Sequence, residues 1–337
     1  MRQAKQNLLT WYAENHRALP WRANRDPYRI WISETMLQQT TTTAVIPFFE
    51  RFTERFPDLK SLATARVETV IEAWAGLGYY SRARNLHKSA QALHQAGGFP
   101  KTFRELIEFP GFGPYTSRSV ASLAFDEAVG VVDGNVIRVL SRYHKKDWNW
   151  WQTKTRDEIQ ILADEWVKGV SSYQMNQALM ELGRTICMPK ATHCLLCPLR
   201  ETCRSFKDGD MLTRPKPKPK REREIWVWEP AVQLRGGKLL IEKVEGVPFL
   251  RGHWALPGKA RQVKVKPKKF DYKHTVTHHD IYVMLKEGAR PQSESKWIAL
   301  KELRQYAPTS LVQKALESWN SRSDRGRGVV LEGEKEK

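Results

Sequence analysis

All four cysteines of this 337-residue chain fall within seventeen consecutive positions. They occur as Cys187-Met-Pro-Lys-Ala-Thr-His-Cys194-Leu-Leu-Cys197-Pro-Leu-Arg-Glu-Thr-Cys203, a C-x6-C-x2-C-x5-C pattern. A disulfide framework scatters its cysteines along the chain, whereas a tight cluster points to a metal site in a reducing compartment. Zinc modules usually present two C-x2-C knuckles separated by a longer spacer. Four thiols in one compact loop suit a single segment wrapped around a cubane iron–sulfur cluster, with a four-cysteine zinc site as the competing reading. Arg184, Lys190, Arg200 and Arg204 flank the same loop, so the metal has a basic surface to shape.

That basic character runs through the whole chain. The formal net charge is +19, with 28 basic against 20 acidic residues up to residue 207 and 28 against 17 beyond it. A positive field over both parts favours a polyanionic partner, most often nucleic acid; a charge kept for solubility is the plainer explanation. No stretch approaches the roughly 20 apolar residues of a membrane span, and the first residues lack the apolar core of a signal peptide. The expectation is a cytoplasmic protein, neither secreted nor membrane-bound.

Texture changes once along the sequence. Up to about Cys203, apolar residues recur at three- and four-residue steps (Ile46, Phe49, Phe52, Phe56; Val67, Val70, Ile71, Trp74), the mark of amphipathic helices. Asp26 before Pro27 reads as an N-cap and a first helical position. The Pro/Lys alternation after residue 212 blocks helix and central strand alike and gives an extended spacer. Beyond it come short β-branched and aromatic runs: Ile225–Trp228, Ala231–Leu234, Lys238–Ile241 and Ile281–Leu285. A helix from about Leu300 to near Trp319 is expected to close this part. The domains expected are therefore an α domain at 1–207, a basic linker at 208–224, a small α+β domain at 225–320 and a disordered tail at 321–337.

Within the helical part, Phe103 to Ala121 reads as helix, Gly-rich hairpin, helix around Pro110-Gly111-Phe112-Gly113-Pro114. The two glycines are expected to permit positive φ and to let a phosphate approach backbone N–H groups, with the dipole of the helix opened by Pro114 facing it. Val131-Val132-Asp133-Gly134-Asn135-Val136 follows closely, and Asp133 stands before a helix. Glu34 lies among Trp31, Met36 and Leu37, an apolar setting that raises a carboxyl pKa. Taken singly, Glu34 is a glutamate on an amphipathic helix and Asp133 an ordinary N-cap.

Taken together, the hairpin, the Val132-Asp133-Gly134-Asn135-Val136 segment and the cysteine loop resemble the helix-hairpin-helix DNA glycosylase superfamily. With Trp31-Ile-Ser-Glu34-Thr-Met-Leu37-Gln38-Gln39-Thr40 and Gly76-Leu-Gly-Tyr79-Tyr80, the chain resembles the adenine DNA glycosylase (MutY) family. The likeness runs from about residue 8 to 206 and more loosely beyond. It implies a mainly α fold, a six-helix barrel domain plus an iron–sulfur cluster domain, followed by a small α+β Nudix-like domain. It also implies one [4Fe–4S] cluster on Cys187, Cys194, Cys197 and Cys203, and a monomer acting on double-stranded DNA.

The reaction implied is removal of adenine opposite 8-oxoguanine or guanine. Glycosidic cleavage calls for two carboxyls of different pKa. By resemblance Glu34 protonates adenine N7, and Asp133, beside Asn135, stabilises the sugar cation. Tyr115 stands where endonuclease III-type relatives place the lysine that forms a Schiff base, which implies a monofunctional enzyme; Ile137 removes a further amine that some members carry. Trp21, Arg22, Leu37 and Gln177 are expected around the adenine pocket. Gln39 and Tyr79 are expected to wedge into the duplex, with Gly111 and Gly113 at its backbone. Core packing is the alternative for Trp21, Leu37 and Tyr79.

In the second part, Gly252-His-Trp254-Ala-Leu256-Pro257-Gly258 resembles the entry strand of a Nudix fold. A hydrolase would continue with a Glu-rich helix; here Lys259, Arg261, Lys264, Lys266, Lys268 and Lys269 follow, which favours DNA contact over pyrophosphate hydrolysis. His274-Thr275-Val276-Thr277-His278 aligns with the family's 8-oxoguanine-reading loop, with Val276 and Thr277 in place of the usual Phe and Ser. Thr277 and His278 are the expected readers of the lesion.

Overall fold

The structure, a computed structural model, describes residues 1–323 apart from 289 and 308. Two compact units emerge: Met1–Ala73 with Tyr79–Pro219, and Trp74–Gly78 with the described residues from Lys220 on. Among the described residues, no helix is long and apolar enough to cross a membrane.

The first unit is helical. Its helices are α1 (Arg2–Asn15), α2 (Pro27–Leu37), α3 (Thr42–Arg55), α4 (Leu59–Thr64), α5 (Val67–Ala73) and α6 (Ser81–Gln95). There follow α7 (Phe103–Leu106), α8 (Pro114–Phe125), α9 (Gly134–His144), α10 (Thr153–Val167), α11 (Ser172–Thr185) and α12 (Arg204–Lys207). Side-chain caps set several starts. Asp26 accepts from the Tyr28 amide with Pro27 at the first position, and Asp133 accepts from the Val136 amide. Each such cap contributes about 1 kcal/mol.

Two packing sets matter for the site. Leu8, Val136, Val139, Leu140, Ile159, Trp166, Met175 and Leu179 form one core shared by α1, α9, α10 and α11. In the other, Trp31 of α2 stacks on Phe112 of the hairpin, with centroids 5.6 Å apart at 13°, and meets Phe99 edge-on. The aromatic pair fixes α2 against the hairpin, and Phe112→Ala would cost about 3–5 kcal/mol. At the hairpin itself, Gly111 has φ +81°, and a Cβ there would lie 3.0 Å from Ser89 Oγ and 3.2 Å from Asn85 Cβ. Gly113 departs from expectation: its φ is −91° and nothing lies within 4 Å of an added Cβ, because it serves as the extended N-cap of α8.

Bonded structure of the first unit continues past Lys207. A short 3-10 turn covers Met211–Thr213, and buried Arg214 pairs with Asp210 at 2.7 Å and Asp147 at 3.0 Å. The extended segment is thus residues 215–223.

The second unit is built on β1 (Glu224–Val232), β2 (Leu234–Arg235), β3 (Lys238–Val244), β4 (His253–Ala255) and β5 (Gly258–Val263). The rest comprises β6 (Tyr272–Val276), β7 (His279–Val283), β8 (Lys286–Glu287), β9 (Ser295–Ala299), α13 (Leu303–Tyr306) and α14 (Ser310–Ser323). One sheet has the order β5-β1-β7-β6 with β8 also on β1; the other has β2-β3-β4 with β9 on β3. Trp228, Leu239, Ile241, Ile281, Val283, Leu311, Val312 and Ala315 fill the core between strands and α14.

Three sequence expectations change here. The runs at 225 and 231 form a single strand that passes through Pro230. Proline is tolerated because β1 pairs with β7 only as far as Trp228 and resumes with β8 at Ala231, so no partner on that side needs the missing N–H. The closing helix is broken, with a 3-10 turn at Leu300–Glu302 and α13 before α14. Ser321–Ser323, expected to open a disordered tail, belong to α14; the rest of that expected tail lies outside the described residues.

Candidate active site

A cavity of about 880 Å³ opens in the first unit. Its lining unites eleven expected site residues: Trp21, Arg22, Glu34, Leu37, Gln39, Gly111, Gly113, Tyr115, Asp133, Asn135 and Gln177. They come from a 3-10 turn at Pro20–Arg22, α2 and the residues just after it, the hairpin, α8, the start of α9, and α11. Tyr79 is not on the lining. Thr277 and His278 belong to the second unit, where they form the turn between β6 and β7, with Thr277 at φ +53°.

Glu34 is a buried carboxyl on this lining. It sits in the last two turns of α2, buried, and its Oε2 accepts from Tyr115 Oη at 2.6 Å and Ser119 Oγ at 2.7 Å. Both donors lie on α8 four residues apart, so one face of that helix delivers both hydroxyls. Burial pushes the Glu34 pKa up; the two hydroxyls oppose that, and the charge of Asp133 adds to the rise. Since both hydroxyls use Oε2, Oε1 remains free of them to carry a proton. Burial and the neighbouring Glu34 also push the Tyr115 phenol well above its ordinary value, so it stays a neutral donor.

Asp133 is held differently. Oδ1 accepts from the Val136 amide and Oδ2 from Asn135 Nδ2, both at 2.7 Å. Burial raises its pKa too, while these donors, at the positive end of α9, pull toward the ionised form. Burial raises both carboxyls, and they differ in their donors: two hydroxyls on Glu34, a helix-end amide and Asn135 on Asp133. The segment before Asp133 is fixed from α11: buried Asn176 accepts from the Val131 amide at 2.9 Å and donates to Ser122 Oγ and the Val129 carbonyl.

Arg138 links this carboxylate to the cysteine loop. Its Nη2 donates to Asn135 Oδ1 at 2.8 Å and to the Gly183 carbonyl at 2.6 Å, and its Nε donates to the Cys187 carbonyl at 2.7 Å. Buried Arg142, one turn on, donates to Cys187 Sγ at 3.3 Å and the Met188 carbonyl at 2.8 Å. All four cysteines are free thiols in a partly exposed loop, and burial pushes Cys197 up to about 12.

The remaining pocket residues have structural anchors. Trp21 packs edge-on against Phe49, and Gln177 accepts from Tyr12 Oη at 3.1 Å. Arg22 lies 3.4 Å from buried Glu181, which also binds Arg184 and lies 3.9 Å from Arg17. Gln39 and Tyr79 both take left-handed backbone, at φ +62° and +50°. Arg82 connects them: its Nη1 donates to the carbonyls of Thr35, Met36 and Gln38, while its guanidinium lies 5.3 Å from the Tyr79 ring centre. The sequence reading missed Ser119, Arg138, Asn176, Glu181 and Arg82. Only Ser119 and Glu181 carried a local signal, each four helical positions after a residue already singled out.

Comparison with known proteins agrees with this geometry. Residues 32–168 match the HhH-GPD superfamily of base excision DNA repair proteins. An adenine DNA glycosylase of Buchnera aphidicola (strain Bp) is 31% identical over 300 residues, covering 82% of this chain and 84% of that protein. The mouse adenine DNA glycosylase is 40% identical over 214 residues, covering 60% of this chain. The chain spans about two fifths of the length of the mouse, rat and human relatives it matches. Among solved structures, a thermostable thymine-DNA glycosylase is 26% identical with a TM-score of 0.56, covering 60% of this chain and 95% of that one. With the likeness to the Buchnera protein extending over most of both chains, this chain belongs to the adenine DNA glycosylase family of the helix-hairpin-helix base-excision superfamily.

Proposed function

We propose that the protein is a monofunctional DNA glycosylase that removes adenine paired with 8-oxoguanine or guanine in double-stranded DNA. The observation that carries this reading is the pair of carboxyls, Glu34 and Asp133, facing one cavity, one held by two hydroxyls and the other by a helix-end amide and Asn135. A flipped adenine occupies the cavity between Trp21, Leu37 and Gln177. Glu34 gives its proton from Oε1 to the base while Tyr115 and Ser119 stabilise the carboxylate that forms. Asp133, fixed by Val136 and Asn135, stabilises the oxocarbenium-like sugar left behind, and water completes hydrolysis. With a phenol at position 115, engaged by Glu34, no amine is offered there for a Schiff base, so strand cleavage is not expected.

Gln39 and Tyr79 fill the space left by the extruded base, which offsets part of the unstacking cost. Thr277 and His278 read the opposite base in a Nudix-like domain. The domain assignment proposed is catalysis in residues 1–207 and lesion recognition in 225–320, acting as a monomer.

Cys187, Cys194, Cys197 and Cys203 would hold one [4Fe–4S] cluster. The compact C-x6-C-x2-C-x5-C spacing suits one loop wrapped around a cubane cluster. The Arg142 N–H directed at Cys187 Sγ suits a thiolate ligand. When bound, the cluster supplies a fixed template for this basic loop. Iron and sulfide analysis of anaerobically purified protein tests the assignment: four irons per chain are expected, and one zinc with no iron would refute it.

The decisive assay for function is single-turnover adenine release from duplexes with adenine opposite 8-oxoguanine, guanine or thymine. Release from the first two and not the third is expected. Absence of release from all three would overturn the reading.

A further inference from the structure

A second group with ligand chemistry lies in the other unit. Glu224 opens β1 in parallel register with His279, the first residue of β7, and its amide donates to the His278 carbonyl at 2.9 Å. The backbone thus brings one carboxylate and two imidazoles to the same end of the sheet. Glu224 Oε1 lies 3.5 Å from His278 Nε2, and Oε2 lies 3.1 Å from His279 Nδ1. One ligand atom from each of the three residues falls within 4.8 Å of the other two. Ligands bound at about 2.0–2.1 Å in a tetrahedron sit about 3.4 Å apart, close to the distance of each imidazole from its nearer carboxylate oxygen.

The buried member of the three is His279, whose side chain is only 9% exposed and whose Nδ1 faces Glu224 Oε2 at 3.1 Å without a well-aligned hydrogen bond. A buried ring nitrogen whose close partner is poorly aligned gains from a further ligand. Its ring is held between Trp226 and Phe249, with centroids 6.1 and 5.9 Å away. Trp226 Nε1 donates to Glu224 Oε2 at 2.9 Å, orienting the carboxylate as outer partners do in metal sites. The nearest cations are engaged elsewhere. Successive strand residues face opposite sides, and Arg223 and Lys273 both donate to Asp280, at 3.0 and 2.9 Å.

We propose that Glu224, His278 and His279 form a binding site for one divalent ion of the zinc class, with a fourth position open to water or an anion. Two imidazole nitrogens with one carboxylate oxygen suit zinc, cobalt or nickel, whereas magnesium and calcium require oxygen ligands throughout. His278 is also the side chain assigned above to reading the opposite base. That overlap rests on the functional reading; metal binding does not.

The test titrates zinc into the full chain as isolated, following competition with a chromogenic chelator and histidine ring 15N shifts by NMR. The expected result is one bound equivalent that shifts the ring nitrogens of His278 and His279. Glu224→Gln, His278→Ala and His279→Ala should each weaken binding roughly tenfold or more. Glu224→Gln preserves size and His278 lies in a turn, so these two decide the matter if His279→Ala fails to fold. Unchanged ring shifts on zinc addition, or equal zinc affinity in the parent, Glu224→Gln and His278→Ala proteins, would overturn the proposal.

Discussion

The cavity of the α unit and the β6–β7 turn of the second unit hold their polar groups in opposite ways. In the cavity, Glu34 is buried, its partners come from a neighbouring helix, and even the segment leading to Asp133 is bonded through Asn176. At the turn, Thr277 bonds only its neighbour His278, at 3.3 Å, and His278 faces a carboxylate on the adjoining strand. A group that must hold a proton against water gains from burial and fixed donors. A group that must meet a partner needs reach, which a strand turn provides. Chemistry and recognition are therefore expected to fail separately.

The largest effect expected is at Glu34. Glu34→Gln keeps the size and loses the transferable proton, so single-turnover base release should fall about 10²–10⁴-fold with duplex affinity retained. Loss of affinity in parallel would mean that Glu34 builds the pocket rather than acts in it. Asp133→Asn should slow release about 10²–10³-fold through lost charge stabilisation. Its amide oxygen can still accept from Val136 while its NH2 loses the bond from Asn135, so a modest drop in melting temperature is expected, and a large one would recast Asp133 as mainly a cap.

His278→Ala should leave release opposite guanine nearly intact. It should lower the preference for 8-oxoguanine by about tenfold, the worth of one hydrogen bond of about 1.4 kcal/mol. An unchanged rate ratio would remove the second unit from recognition. Ser119→Ala should have the smallest effect on maximal rate and move its pH limit. As a general acid, Glu34 loses activity when pH rises through its pKa. The Ser119 hydroxyl stabilises the ionised form, so removing it raises that pKa and should move the falling limb up by about one pH unit. A limb moving down would contradict an acid role.

Much of the α unit was legible because its signals are local. Asp26 and Asp133 announce helix starts, and Gly111 and Pro114 announce the hairpin. The groups that tune and brace the site were not legible. Ser119 reaches Glu34 across 85 positions and Asn176 reaches Val131 across 45. Ser119 has only its place one turn after Tyr115 to mark it, and Asn176 has no local mark, since a serine or asparagine within a helix is usually indifferent. The continuity of β1 was hidden as well: its two runs read as separate, and the change of partner from β7 to β8 around Pro230 makes one strand possible. The left-handed backbone at Gln39 and Tyr79 was equally hidden, because neither residue type favours it.

Gly183 has no side chain and no chemical role, yet α11 meets α9 there so closely that a Cβ would lie 2.6 Å from Asn135 Cβ. Its carbonyl also accepts from Arg138. A single added methyl group would displace Asn135, and with it one of the two donors that hold Asp133. In a survey of inherited or selected variants, position 183 would therefore score as intolerant as a catalytic residue. The defect would lie in the rate of base release before any loss of the folded protein, since the helices can part slightly while the carboxylate cannot turn.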